Sequence, residues 1–345
     1  MATIKEIAER TGVSVGTVDR VLHGRGRVNE QTRKRVLEMA QALSYTPNRV
    51  AQGLAVRKKK LRLGFFYMDS AEHPFFADVN AGARQAAEEL EDFGVEVDFF
   101  KINIQIEKDG VTHSSVALPE GTRLTDYDGF AAPGSSPLGR QDALPPDTPV
   151  VYYNNPNNQE CLAYVGCNYR DAGRIAGDLC ALTADRKQQI AIFNEGAPIE
   201  TLPAYTERLK GLKECLAQNY PGCRIQGYHF FTNDYETDCL GVAKFFRENP
   251  DISVIYVVNP GNYDICRAIR QADPAHKIRI ITNDLGERQK ELMRAGIISA
   301  VITQEPEAQG AKPLHILFNY LAYDKKPQNK LKYTKLAIHI AGNTK

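Results

Sequence analysis

Beyond residue 60 the apolar positions fall into short runs that alternate with longer amphipathic stretches. Runs at 61–68, 95–100, 129–132, 150–153, 189–193, 225–230, 253–258, 278–282 and 299–302 predict strands. Each is short, rich in β-branched or aromatic residues and bounded by polar, Gly or Pro positions. Between them, 74–90, 169–182, 204–218, 240–248, 263–271, 289–295 and 307–323 repeat apolar residues at helical spacing. Strands that alternate with helices in this way predict an α/β fold with parallel sheets. Residues 101–123 break the rhythm and predict no element.

The first 60 residues have a different texture. Residues 4–22, IKEIAERTGVSVGTVDRVL, place Ala8, Gly12, Val18 and Val21 where two short helices need a small contact residue, a left-handed turn residue and two inward apolar side chains. This is the spacing of a helix-turn-helix, although short Ala-Gly-Val helical hairpins with no DNA role share it. Ser14 is positioned to cap the second helix, which begins near Val15. The exposed start of that helix, Val15, Gly16 and Thr17 with the later Arg20, is what a recognition helix presents to base edges; Arg20 either reads a guanine or holds a phosphate. Asn29 opens a third helix to about Leu43, with Val36, Leu37, Ala40 and Leu43 closing a three-helix core.

Charge separates this head from the body. Residues 1–60 carry 13 Lys and Arg against 5 Asp and Glu, a surplus of +8, which leaves about −7 for the other 285 residues. A basic head on an acidic body suits a polyanion-binding module joined to a sensor, since phosphate neutralisation drives sequence-independent affinity. Basic residues also keep small domains soluble, and Lys58, Lys59 and Lys60 read equally well as a solvated linker.

The run TIKEIAERTGVSVGTVDRVLHGRG, followed by TPNRVAQGL at 46–54, resembles the lactose-repressor (LacI) family of bacterial regulators, and the rest of the chain resembles a periplasmic-binding-protein-like domain. The resemblance implies a helix-turn-helix head at 1–46, a hinge helix and linker at 47–60, and an effector-binding body at 61–345. The body would be two hinged lobes with two parallel sheets, one about 61–156 and 304–330, the other about 157–303 and 331–345. It implies DNA contacts from Thr3, Ser14, Val15, Gly16, Thr17, Arg20 and Asn29, and from Asn48, Arg49, Ala51 and Leu54 of the hinge. In the resembled family the hinge becomes a helix only on the operator, and the residue matching Leu54 wedges into the minor groove and kinks the duplex. Gly53 weakens that helix by ~1 kcal/mol relative to Ala. The plainer alternative is a linker with a stray leucine. Asp19 departs from the Ser common at its position and changes the expected operator sequence.

Sugar-like ligands need apolar ring faces and forked hydrogen-bonding groups. Phe75, Phe76, Arg208, Asn259, Asp284 and Gln304 match the positions where ribose-like binding proteins and their repressor relatives hold ligand. Each has an ordinary alternative: core packing for the phenylalanines, a surface helix charge for Arg208, a helix cap for Asp284. His73 stands where Asn often precedes Pro-Phe-Phe, Asn154 and Asn155 replace a frequent Asp-Arg pair, and Pro260 replaces a common Asp. With those charges gone, the ligand is expected to be neutral or differently arranged. Tyr205, Asn233 and Tyr263 read more readily as surface or core.

The sequence has no nucleophile, dinucleotide or metalloprotease motif in a suitable context, so no enzyme is expected. The 7 Cys include no CxxC pair and the 7 His lack ligand spacing, so neither a metal nor a cofactor is expected. An exported solute-binding protein without a working DNA reader is the alternative. The polar, charged opening, without the apolar core of a secretory signal, argues instead for a cytoplasmic protein. The expectation is a homodimeric regulator, read as a repressor, with palindromic operator DNA and a small carbohydrate-like effector as partners and no membrane association.

Overall fold

A computed structural model describes residues 3–22, 26, 28–43, 57–69, 75–106, 112–116, 118–136, 144, 147–156, 159–184, 189–195, 203–232, 234–259 and 263–344. The head contains α1 (Ile4–Thr11), α2 (Val15–Leu22) and α3 (Glu30–Ala42). Gly12 ends α1 in the left-handed conformation (φ 67°), where a Cβ would be strained, and its N–H returns to the Ala8 carbonyl. Ile7, Ala8, Val18, Val21, Val36 and Ala40 form the core of the three helices. Leu37 differs from expectation: Val36 and Ala40 lie one turn apart on the inner face, and Leu37, rotated off it, is 47% exposed.

The body holds two sheets. The first has the order β12-β6-β5-β4-β1-β2-β3, from β1 (Arg62–Met68), β2 (Glu96–Ile106), β3 (Thr112–Val116), β4 (Gly129–Pro133), β5 (Val150–Tyr153), β6 (Ala163–Gly166) and β12 (Leu331–Tyr333). Here α4 (Phe75–Glu91) and α10 (Pro306–Tyr323) pack together against one face. The second sheet has the order β13-β11-β10-β9-β7-β8, from β7 (Gln189–Glu195), β8 (Arg224–Phe231), β9 (Val254–Asn259), β10 (Arg279–Asn283), β11 (Ala300–Thr303) and β13 (Ala337–His339). Its helices are α5 (Tyr169–Thr183), α6 (Pro203–Asn219), α7 (Tyr235–Glu248), α8 (Asp264–Ala272) and α9 (Glu287–Arg294). Among the described residues only β2–β3 and β11–β13 pair antiparallel. Along β7, Ile190 and Ile192 join one core while Ala191 and Phe193 join another. A strand apolar on both faces requires cover on both, which is the physical reason the sheet is parallel and doubly wrapped.

The strand runs are present, with several differences from the sequence reading. Residues 101–106 continue β2, and β3 pairs back on it, so part of the segment expected to be featureless is a ribbon. Helix α7 begins at Tyr235 and not at 240, because the Asp234 side chain caps it through the Thr237 N–H at 2.9 Å. The lobe boundaries also shift. Residues 163–166 and 331–333 pair with each other at the edge of the first sheet, so this lobe runs past 156 and past 330. The chain passes between the sheets after β6, between β11 and α10, and between β12 and β13. The last two passages are tied: the Lys335 N–H donates to Glu305 Oε2 at 3.0 Å, and Thr303 Oγ1 to the Ala337 carbonyl at 3.4 Å. No helix among the described residues is long and apolar enough to cross a membrane.

Candidate functional site

In the head, the polar candidates do local work first. Thr3 Oγ1 accepts from the Glu6 N–H at 3.2 Å, Ser14 Oγ from the Thr17 N–H at 3.2 Å, and Asn29 Oδ1 from the Gln31 N–H at 2.9 Å. Each cap satisfies an otherwise orphaned amide. The N-terminal end of α2 is open: Ser14, Val15, Gly16 and Arg20 are exposed and Thr17 is half-buried. Val15 is 50% exposed. Arg20 folds back along its own helix, its Nε donating to the Gly16 carbonyl at 3.1 Å and its Nη2 to Thr17 Oγ1 at 3.3 Å. Asn48, Arg49, Ala51 and Leu54, with the hinge segment they belong to, lie outside the described residues. So do His73, Asn233 and Pro260.

The body candidates gather at the C-terminal ends of the strands, where parallel sheets bind ligands. Arg208, on the first half of α6, is 5% exposed, which removes its reading as a surface charge. Its guanidinium lies 5.0 Å from the centre of the Tyr169 ring, and Nη1 donates to the Val258 carbonyl at 3.4 Å. Burial works against its charge, but Tyr256, Asp284, Cys167 and Tyr169 around it leave its pKa above the ordinary value. Arg208 Nε is buried and has no partner among the described residues. The helix can come this close because Gly173 of α5 faces the Arg208 carbonyl, where any side chain would collide.

Asp284 follows β10 with a left-handed backbone (φ 63°), and its N–H donates to the Ile302 carbonyl at 2.9 Å. It does not cap α9. The N-cap of that helix is Gly286, whose N–H donates to Gln289 Oε1 at 2.8 Å. The Asp284 carboxylate instead accepts from Gln304 Nε2 at 2.8 Å, and Gln304 is fixed in turn by Gln309, whose Nε2 donates to both its carbonyl and its Oε1. Burial raises the Asp284 pKa, with Arg208 and Gln304 opposing. Arg208 and Asp284 thus act on each other as opposite charges in a desolvated region, without a direct ion pair among the described residues.

From the first lobe, Phe75 reaches this region while Phe76 turns into the core with Val79 and Leu314. A cavity of about 30 Å³ is lined by Phe75 and Asp78 of α4, by Thr303, Gln304 and Pro306 at the passage between sheets, and by Tyr263, Asp284, Leu285, Gly286 and Gln289 of the second lobe. Asn154 takes part through its backbone: it has φ 60°, and its carbonyl accepts from Tyr164 at 2.5 Å and from Tyr169 at 2.9 Å. Asn155 Oδ1 is buried without a partner among the described residues. Asn259 ends β9, half-buried, and like Phe76, Asn154, Asn155 and Arg208 it is not among the residues lining the cavity.

Several members of this region carried little signal in the sequence. Tyr263, read there as ordinary surface or core, is buried with a left-handed backbone (φ 71°), and its hydroxyl donates to the Asn283 and Asp284 carbonyls, both at 3.2 Å. Tyr205 and Tyr256 are pushed up to about 12 by burial, so both stay neutral hydroxyl donors. Cys167 is also pushed up to about 12, again by burial, and stays an unreactive thiol. Among the described residues no group of His, Cys, Asp or Glu could hold a metal ion. Buried donors and acceptors, aromatic faces and charges of both signs suit reversible binding of a small polyhydroxylated molecule.

Comparison with known proteins agrees with both halves. Residues 3–48 match bacterial regulatory proteins of the lacI family, and residues 141–326 match the periplasmic binding protein domain. The chain is 41% identical over 92 residues to the probable HTH-type transcriptional repressor ExuR of Bacillus subtilis (strain 168), covering 26% of this chain and 27% of the relative. It is 39% identical over 109 residues to the ribose operon repressor of the same organism, covering 32% of each. The matches therefore span about a quarter to a third of those relatives' length. Among solved structures, a putative LacI transcriptional regulator from Bacteroides fragilis superposes with a TM-score of 0.68 at 21% identity, covering 82% of this chain and 98% of that one. GanP, a glucose-galactose binding protein from Geobacillus stearothermophilus, superposes with a TM-score of 0.63 at 18% identity, covering 82% and 98%. At such identities the superpositions show the shared two-lobed fold.

Proposed function

We propose, for a chain that belongs to the lacI family of bacterial regulatory proteins and carries a periplasmic binding protein domain as its body, that it is a transcriptional repressor whose grip on operator DNA is set by a small carbohydrate-like effector. The observation that carries this reading is the join within one chain of an open helix-turn-helix and a cleft with unmatched buried polar groups. An unpaired buried donor or acceptor costs ~1–3 kcal/mol, and Arg208 Nε and Asn155 Oδ1, each without a partner among the described residues, are of the kind a hydroxyl-rich ligand satisfies.

In this reading Ser14, Val15, Gly16, Thr17 and Arg20 face the major groove, Thr3 and Asn29 lie near phosphates, and the hinge residues Asn48, Arg49, Ala51 and Leu54 meet the minor groove. Arg20 then trades its contacts along α2 for base or phosphate. His73, Phe75, Phe76, Asn154, Asn155, Arg208, Asn259, Asp284 and Gln304 surround the effector, with Phe76 acting through packing behind Phe75. The working units are a head at 1–46, a hinge at 47–60 and a two-lobed body at 61–345. The protein works in the cytoplasm as a homodimer on a palindromic operator and performs no catalytic step. Effector binding favours one arrangement of the lobes, and that preference is passed through the hinge to the head.

The test is Arg208→Ala, read by operator titration with and without effector and by cooperative unfolding. The expected variant unfolds cooperatively, binds operator as wild type does and has lost the effector response. A correctly folded variant with an unchanged effector response would remove Arg208, and with it the cleft, from the account.

A further inference from the structure

The cavity between the lobes is lined by a second carboxylate besides Asp284. Asp78 sits in the first turn of α4, half-buried, and lines the same space as Phe75, Tyr263, Asp284 and Gln304. It belongs to the first lobe and Asp284 to the second, so the two carboxylates approach the cavity from opposite walls.

Asp78 makes no ion pair or side-chain hydrogen bond among the described residues, unlike Asp284, which is held by Gln304. Every element packed around it contributes charge: Glu307 from the start of α10, and Glu287 and Lys290 from α9 across the lobes. Lys290 is already engaged by Glu287 at 2.7 Å. Burial, then Glu307, then Glu287 raise the Asp78 pKa, and Lys290 opposes them. Among the described residues the charges acting on Asp78 are therefore net negative, and the cation among them, Lys290, is already paired.

Building on the effector reading above, we propose that Asp78 is a specificity-determining contact of the cleft, one that accepts hydrogen bonds from a neutral or amino-bearing sugar and excludes sugar acids and sugar phosphates. The residue types bear this out chemically. A carboxylate accepts from two vicinal hydroxyls, or from an ammonium, with strong charge-assisted bonds. An anionic group in the same place meets the Asp78 carboxylate in a partly desolvated cavity, with Glu307 adding negative charge behind it, where repulsion is large. Arg208 provides the compensating positive charge for Asp284, not for the opposite wall.

The chain has no Trp, so effector binding is best read by calorimetry and by the rise in melting temperature that a ligand binding only the folded state produces. The full-length protein is titrated with matched sets: glucose, glucuronate, glucosamine and glucose 6-phosphate, then galactose, galacturonate and galactosamine, then ribose and xylose. The expected result is that a neutral or amino sugar binds and its acid or phosphate binds at least about tenfold more weakly. Asp78→Asn should weaken the preferred sugar by about 10- to 100-fold, the worth of a charged hydrogen bond, and narrow the gap to the acid. Asp78→Glu, which keeps the charge, should keep the gap. An acid or phosphate that binds as well as its parent sugar would overturn the inference, as would a gap unmoved by Asp78→Asn in a cooperatively melting variant. If no panel member binds the wild type, the sugar reading itself fails, and the role of Asp78 fails with it.

Discussion

Gly173→Ala offers a direct way to move the Arg208 side without touching its chemistry. A Cβ on Gly173 would stand 1.9 Å from the Arg208 carbonyl oxygen and 2.7 Å from its carbonyl carbon. Ordinary contact begins near ~3.5 Å, so α5 and α6 must part locally by roughly 1.5 Å. The reciprocal contact is as tight: a Cβ on Gly211 of α6 would lie 1.9 Å from the Arg170 carbonyl of α5. Alanine is favoured over glycine in a helix by about 1 kcal/mol, whereas overpacking costs ~1–3 kcal/mol. The neighbour here is backbone, which no rotamer change can move aside, so the clash should win by about 2 kcal/mol. The displaced carbonyl belongs to Arg208 itself, so the guanidinium leaves its place over Tyr169 and beside Val258. Effector affinity should fall tenfold or more, since a binding constellation tolerates only about 0.5 Å of displacement. Urea unfolding followed by circular dichroism reads the first effect, and calorimetry the second. As a control, Gly241→Ala in α7 meets only the Phe231 ring at 3.3 Å and should stay within about 1 kcal/mol of wild type. Wild-type stability and effector affinity in Gly173→Ala would refute the idea that close helix packing positions Arg208.

Two further outcomes follow from individual residues. Because burial holds Asp284 above the usual carboxylate range, its ionised form costs stability, and that cost sets in as pH rises above 3.8 and is complete beyond the raised folded value. Asp284→Asn, which still accepts from Gln304, should therefore melt higher than wild type at pH 7 while losing the effector, with the melting gap closing below pH 3.8; a lower melting temperature at pH 7 would contradict this. Leu54→Ala should weaken operator binding and reduce DNA bending measured by energy transfer between end-labels, since an apolar wedge supports the kink. Unchanged bending would leave residues 47–56 a plain linker.

The head was legible because its packing is local: Ala8, Gly12, Val18 and Val21 meet within one short segment, and a sequence spacing is enough to show it. The strands buried on both faces were legible for a similar reason, as continuous apolar runs. The edges were not. β12 and β13 have 3 residues each and are mostly exposed, and β6 has 4, so none offers a periodicity to read, yet they decide where one lobe ends and the other begins. In the cleft, Arg208 and Asp284 stood out as charges at strand or helix ends, but their burial did not. Asp78 gave no signal, because an acid in the first turn of a helix already has a local explanation in the helix dipole. Phe75 and Phe76 are adjacent in sequence, yet the helix turns one to the cavity and the other to the core.

The central claim is that one chain couples a sugar to an operator, and it is tested most directly by anisotropy titration of the full-length protein on palindromic DNA from its own upstream region. The titration is run across salt concentrations, with and without the sugar panel. The expected result is tight binding that falls steeply with salt, as phosphate contacts release counterions, and that one sugar changes by tenfold or more. Absence of salt-sensitive specific binding under every condition, with a sugar still bound by the body, would contradict it and leave a solute-binding protein whose head does not read DNA.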